Sequence, residues 1–233
     1  MKKVHRFITD FTSDNGVLKI TAKDVVHQIS KVLKLRSGEQ VVVGKGDGLD
    51  VLAKVARTDK EAVYLEPQRS IRNGNEPVRR IVLYCSVLKK ENFENAAQKA
   101  TEVGVSKIVP VLTNRTVKTD INTGRLTKII KEAAEQSGRG IVPELEKVMT
   151  FDEAIKSSQD SGVKIFFDPS GENFSLIGKD TRTASIFIGP EGGWTDEEIG
   201  VAKENGFRII SLGPLVMRAE TAVAVASYLA IHF

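Results

Sequence analysis

A chain of 233 residues with 41% hydrophobic and 27% charged residues has an ordinary globular composition, long enough to bury a core as one large domain or two smaller ones. Its single cysteine, Cys85, excludes an internal disulfide framework, and no run reaches the about 20 apolar residues of a membrane-spanning helix. The net charge of +4 is unevenly placed: residues 1–72 carry 14 Lys/Arg against 9 Asp/Glu, and residues 73–233 carry 20 against 21. That excess in the first third reads either as a solvated basic surface or as a polyanion-binding module attached to a nearly neutral body. The start, "MKKVHRFITD", has no apolar signal-peptide core, which makes a reducing cytoplasm the expected location.

In chain order, the first third reads as short strands: "HRFITD", "GVLKI", "EQVVVGK", "LDVLAKVARTD" and "EAVYLEP". One helix, about Ala22–Leu35, interrupts them, with Thr21 as its N-cap and Val25, Val26, Ile29, Val32 and Leu33 on its apolar side. Many strands around one helix predict a small barrel, residues 1–72. The segment "PQRSIRNGNEPVRR" (67–80), with Pro, Asn-Gly and no periodicity, reads as a linker. From Ile81 onward the apolar runs "IVLYCSV", "KIVPVLT", "VKIFFD", "ASIFIG" and "FRIISLG" alternate with helical stretches. These helices run at about Lys90–Val103, Thr123–Ser137, Phe151–Ser158, Thr195–Asn205 and Ala219–His232. Strands apolar on both faces, separated by helix-length segments, predict a mostly parallel α/β sheet over residues 73–233.

Several familiar chemistries are missing. Gly44, Gly46 and Gly48 lack dinucleotide-loop spacing and precede an alternating strand, so they read as a hairpin. His5, His27 and His232 are scattered and Cys85 is alone, so no metal-ligand spacing exists. Neither a Walker loop nor a G-x-S-x-G elbow occurs.

Two loops stand out instead. "FIGPEGGWTDEEI" (187–199) follows a strand, and Thr195 with Glu198 makes a T-x-x-E capping box that opens the next helix. Glu191 would repel an anion there, so a neutral or cationic ligand suits this loop better than phosphate. The alternative is a tight turn that uses glycine for steric reasons alone. "SLGPLVMRAETAVAVA" (211–226) ends a second strand in Gly-Pro and opens a helix near Arg218. Leu215, Val216 and Met217 would be apolar walls, and Ala219, Ala222, Ala224 and Ala226 would allow close packing.

"IGPEGGWTDEEI" followed by "SLGPLVMRAETA" resembles the RsmE family of 16S ribosomal RNA methyltransferases, in the SPOUT superfamily. The resemblance extends through "HRFITD", "VVHQISKVLKLRSGEQVVVGKGDG", "KKENFENAAQKATEVGVSKIVPVLTNRT" and "EAAEQSGRGIVPEL". Val216-Met217 replaces the Ile-Leu usual before the arginine, keeping apolar character and approximate volume.

The resemblance implies a trefoil-knotted α/β methyltransferase domain, a small N-terminal PUA-like β-barrel that binds RNA, and a homodimer. It implies S-adenosyl-L-methionine as the cofactor. Ile188, Gly189, Pro190, Glu191, Gly192 and Gly193 would surround it, together with Ser211, Leu212, Gly213, Leu215, Met217, Ala219, Glu220 and Thr221. Phe167 would add a third edge. The implied reaction is methyl transfer to N3 of a uridine, U1498 of 16S rRNA in the 30S subunit. Negative charge spreading onto O2 and O4 as the N3 proton leaves calls for a positioned cation, with Arg218, Arg139 and Arg6 as candidates and no general base identified. Arg6, Lys34, Arg36, Arg69, Arg72 and Arg115 are the expected RNA contacts. No metal is expected. A SPOUT enzyme acting on another RNA base and a non-catalytic RNA-binding or ribosome assembly protein are the two alternatives.

Overall fold

Strand β1 (His5–Ile8) pairs in parallel with β4 (Gln40–Gly44), and the rest of this first sheet is antiparallel. Its order is β1-β4-β5-β6-β3-β2, with β2 at Thr12–Asp14, β3 at Val17–Ile20, β5 at Leu49–Thr58 and β6 at Val63–Arg72. The computed structural model describes residues 4–89, 91–117, 119–174 and 181–233. Lys90, where the sequence pattern starts its second helix, lies outside the described residues. Among the described residues no ladder joins the two edges of this sheet, so it is an open six-stranded sheet where a small closed barrel was expected.

Two local expectations in this region are corrected. Residues 67–72 continue strand β6 where the sequence reads as linker. A register shift between Leu52 and Ala53 of β5 falls opposite Pro67 and accommodates the ring, which has no N–H to offer a regular ladder. Helix α1 spans only Lys23–His27, with Ala22 and not Thr21 in the capping position. It runs into a π-helical turn, Gln28–Val32, marked by the Leu33 N–H to Gln28 C=O bond of 2.8 Å. The wider turn moves Val32 off the apolar face, leaving it 62% exposed while Val25, Val26 and Ile29 stay buried. Lys34, at φ +51°, then ends the helix.

The chain divides into two compact units: Met1–Glu76 with Ala134–Val142, and Pro77–Ala133 with Pro143–Phe233. In the first, Phe7, Ile20, Val41, Val43, Val55 and Leu65 form the core with the buried residues of α1. The returning segment is held by polar contacts. Ile8 N–H donates to the Glu135 carboxylate (2.7 Å), while the Glu76 carboxylate accepts from Gly140 and Ile141 N–H (both 3.0 Å) and from Arg139 (2.9 Å).

The second unit is a parallel sheet of order β10-β8-β7-β12-β11-β13, with β9 paired to β8. Its strands are β7 (Arg80–Ser86), β8 (Lys107–Leu112), β9 (Glu144–Leu145), β10 (Met149–Thr150), β11 (Val163–Asn173), β12 (Thr183–Ile188) and β13 (Arg208–Ser211). Its helices are α2 (Glu91–Val103), α3 (Thr123–Ser137, whose last turn belongs to the first unit), α4 (Phe151–Ser157), α5 (Asp196–Glu204) and α6 (Ala219–His232). Register places Phe166, Phe187, Tyr84 and Val109 side by side in one row across the sheet. Tyr84 stacks on Phe187 at 4.4 Å between centroids, and α4 and α5 cover this face with Phe151, Ile155 and Ala202. Leu83, Ile186 and Ile165 alternate onto the other face. There α6 packs against β7, β12 and α2, and its buried residues are mostly small: Ala219, Ala226, Ser227 and Ala230. Buried Arg79 donates to the Ala230 carbonyl (2.8 Å), placing a cation on the C-terminal turn of α6.

Candidate functional site

Strands β12 and β13 follow one another in the chain but are not neighbours in space, because β11 lies between them. The two Gly-Pro loops that leave their carboxyl ends therefore flank the Phe167–Pro169 stretch of β11 and enclose a cavity of about 480 Å³. Carboxyl ends of parallel strands are where α/β sheets bind ligands. The wall comprises Ile188 to Glu191, Gly193 and Trp194 from the first loop and Ser211 to Gly213 and Leu215 to Glu220 from the second. Phe167, Asp168 and Pro169 come from β11, Asn92 from α2 and Ala222 from α6.

The first loop is built as a turn in which Gly193 N–H returns to the Pro190 carbonyl (2.9 Å), with Gly193 at φ +71°. Trp194 anchors it: the buried indole donates from Nε1 to the Phe167 carbonyl (3.0 Å) and packs 4.2 Å from Phe166. A Cβ on Gly189 would sit 3.0 Å from that indole, so glycine there serves the tryptophan. The capping box expected at the head of α5 is present. Thr195 Oγ1 accepts from Glu198 N–H (3.2 Å), and the buried Glu198 carboxylate accepts from Thr195 N–H and Asn114 N–H (both 2.9 Å). The second bond holds the loop after β8, and from it Arg115 donates to the Gly192 carbonyl at 2.7 Å.

Glu191 accepts from the Lys89 N–H (3.0 Å) and the Asn92 amide (3.3 Å), so it ties the glycine loop to the start of α2. Burial pushes its carboxyl up, but hydrogen bonds from Lys89, from its own N–H and from Asn92 outweigh that and hold it below the usual carboxylate range. It is therefore ionised at neutral pH. The second loop turns at Gly213, φ +116°, a conformation open to glycine and strained for other residues. Ser211 Oγ accepts from Gly213 N–H (3.2 Å).

Of the fifteen residues expected around the cofactor, Gly192 and Thr221 do not line this cavity. Gly192 faces the Arg115 side chain, where a Cβ would meet Cδ at 3.4 Å. Thr221 falls on the exposed side of the first turn of α6. Conversely, Asn92, Asp168, Pro169 and Trp194 line it without a sequence expectation, and Ala222, expected only to allow close packing, lines it too. Trp194 carried a usable signal, being the only tryptophan in the chain and directly following the glycines.

Among the three candidate catalytic arginines, only Arg218 borders the cavity. It occupies the N-cap position of α6 without a side-chain capping bond, and its guanidinium has no ion-pair partner among the described residues. Arg6 is paired instead with the buried carboxylate of Asp50, which also accepts from Asn73 (2.8 Å), and buried Arg139 is paired with Glu76. Such buried ions need their partners, which gives both arginines a structural reason to be there. Lys34, Arg36, Arg69 and Arg72 are exposed on the first unit. No group of His, Cys, Asp and Glu suited to a metal ion occurs among the described residues.

Cys85 ends near this loop but is buried, and burial first, then the Glu191 charge, push its thiol well up. A thiol held protonated across the working pH range should resist disulfide reagents. Titration with an aromatic disulfide at mildly alkaline pH is expected to find almost no reactive thiol in the native protein and the full thiol after denaturation. Rapid native labelling would refute this.

The RNA methyltransferase domain family matches residues 74–231. Ribosomal RNA small subunit methyltransferase E of Mesomycoplasma hyopneumoniae is 32% identical over 178 residues, covering 73% of this chain and 76% of that protein. The chain belongs to the ribosomal RNA small subunit methyltransferase E family. The member from Bacillus subtilis is 30% identical over 219 residues, 87% of this chain and 85% of its own. The family's crystal structure from Neisseria gonorrhoeae, bound to S-adenosyl methionine, superposes with a TM-score of 0.87 at 26% identity, covering 97% of this chain and 95% of that one.

Proposed function

We propose that the chain methylates N3 of a uridine in 16S rRNA of the small ribosomal subunit, U1498 in the conventional numbering, with S-adenosyl-L-methionine as methyl donor. The observation that carries this reading is the cavity enclosed by the two Gly-Pro loops, in a chain matched almost end to end by a family member solved with that cofactor. The residues fit the cofactor. Phe167, Leu212 and Met217 supply apolar walls, the peptide groups of both loops lie outside helix and strand, and ionised Glu191 suits a cationic group.

When bound, S-adenosyl-L-methionine supplies a methyl group on a cationic sulfonium. The loop peptides bind and orient the adenosine portion, glycine allowing close approach. Met217, partly buried on the wall, keeps water from that side of the cavity. Glu191 and Glu220 favour positive charge in the cavity, and the Arg218 guanidinium stabilises the negative charge that spreads over the uracil oxygens as the N3 proton leaves. Positioning of base against methyl group supplies a large part of the rate.

Residues 1–72 act as the PUA-like RNA-holding module, with Lys34, Arg36, Arg69 and Arg72 on phosphates, and the second unit carries the trefoil knot of its superfamily. The enzyme works in the cytoplasm as a homodimer through the second unit. In support of the dimer, Tyr228 and Phe233 stand half exposed at the end of α6, and Leu215 and Val216 are more exposed still.

The test is transfer of radiolabelled methyl groups to 30S particles from cells lacking the activity, followed by mass spectrometry of 16S rRNA fragments. A single additional methyl on one uridine is expected. Label on another base, on tRNA or on nothing would overturn the proposal.

A further inference from the structure

The first unit carries a second cavity of about 430 Å³, lined by Asp14, Val17, Lys19, Ala56, Arg57 and Tyr64. Strand pairing sets three of these in one cross-strand row, Lys19 opposite Tyr64 and Tyr64 opposite Arg57. The Arg57 guanidinium carbon lies 3.5 Å over the Tyr64 ring centroid, and Lys19 Nζ stands 5.8 Å from the same ring. At its edge the guanidinium donates to Asp59 (3.1 Å), whose carboxylate is itself held by the N–H groups of Glu61 (2.9 Å) and Ala62 (2.8 Å). Arg57 is thus fixed from beneath and from the side while its side chain remains 62% exposed.

We infer that this row is a stacking site for one unpaired base of single-stranded RNA, resting on the reading above in which the first unit holds ribosomal RNA. A guanidinium held 3.5 Å over a tyrosine ring and tied at its edge to Asp59 offers a planar cationic group, and stacking on arginine planes is a recurring way to hold splayed-out bases. Its flexible side chain is ordered before the ligand arrives, which removes part of the entropic cost of binding. Lys19 takes the adjoining phosphate. Asp14, the one carboxylate on the wall, accepts from a base N–H and turns the phosphate toward the lysine. Duplex RNA has no free base face to offer. An acidic peptide would engage the charges but gain nothing from the plane.

Fluorescence anisotropy with a fluorescein-labelled oligouridylate tests this on the full chain. Arg57→Lys keeps the charge and removes the plane; affinity is expected to fall roughly fivefold or more, the low end of base-stacking effects, with the salt dependence unchanged. Lys19→Ala should instead flatten the salt dependence by about 0.7 of a unit of slope. A loop-free RNA duplex of two complementary strands should be bound alike by the wild type and Arg57→Lys. Arg57→Lys binding oligouridylate as tightly as the wild type would overturn the site. So would an equal loss on the duplex, and so would polyglutamate competing as well as oligouridylate. Methylation of 30S particles by the wild type is read separately: its absence would end the functional reading, while a selective loss in Arg57→Lys would still establish the stacking site.

Discussion

Arg218→Ala is expected to lower kcat for methyl transfer by about 10²- to 10³-fold, the usual loss when a positioned donor to developing charge is removed. The affinity for S-adenosyl-L-methionine should change little, because the proposed reading gives the cofactor the peptide groups and apolar walls of the loops and assigns Arg218 to the target base. Helix α6 should also survive. Arg218 caps it through its backbone, with the Ala222 N–H reaching its carbonyl at 2.8 Å, and the side chain makes no capping bond. Arg218→Lys should recover only part of the rate, since an ammonium keeps the charge without the planar fork. Single-turnover methylation of 30S particles, alongside calorimetry of cofactor binding, checks both halves. A kcat near the wild type in Arg218→Ala would remove this arginine from the reaction.

Trp194→Ala should be the most damaging single change to the second unit. The indole is 5% exposed, packs on Phe166 and Phe151, and satisfies the Phe167 carbonyl at the point where the pairing of β11 with β12 ends. Truncating so large a buried ring costs about 3–5 kcal/mol. For a chain of this size that lowers Tm by about 6–20 °C. Trp194→Phe retains most of the packing and loses the hydrogen bond, so its cost should be nearer 1–3 kcal/mol, the range for a buried carbonyl left unsatisfied. Cofactor affinity should fall with the alanine variant even where the protein is folded, because the loop from Gly189 to Gly193 loses its anchor. Scanning calorimetry and cofactor titration on both variants decide this. A melting temperature within about 2 °C of the wild type for Trp194→Ala would contradict the packing.

Much of the architecture follows from local chemistry that any single stretch of sequence carries. Apolar runs such as "ASIFI" and "KIFF" are strands because they are buried on both faces, and Leu49–Val55 is a strand as its alternation indicates, although Leu49 is exposed and Asp50, paired with Arg6, is buried. Thr195 and Glu198 start a helix because their side chains reach backbone groups only three residues away, so the capping box could be read before any fold was known. Gly213 similarly announces a turn through its own φ. The family resemblance rests on loops of this kind. Non-local contacts decided the rest. Pro67 sits in a strand only because β5 shifts register opposite it, and Val32 leaves the apolar face because of a π-turn that propensity does not reveal. Glu191 is a tie to Lys89 and Asn92, about a hundred residues earlier, and Arg6 and Arg139 are committed to carboxylates 44 and 63 positions away. The cavity itself exists because β11 was inserted between β12 and β13, an order in space that chain order does not encode. Periodicity reports which face of an element is apolar; which elements meet, and which charges are neutralised there, depends on packing energies summed over the whole unit.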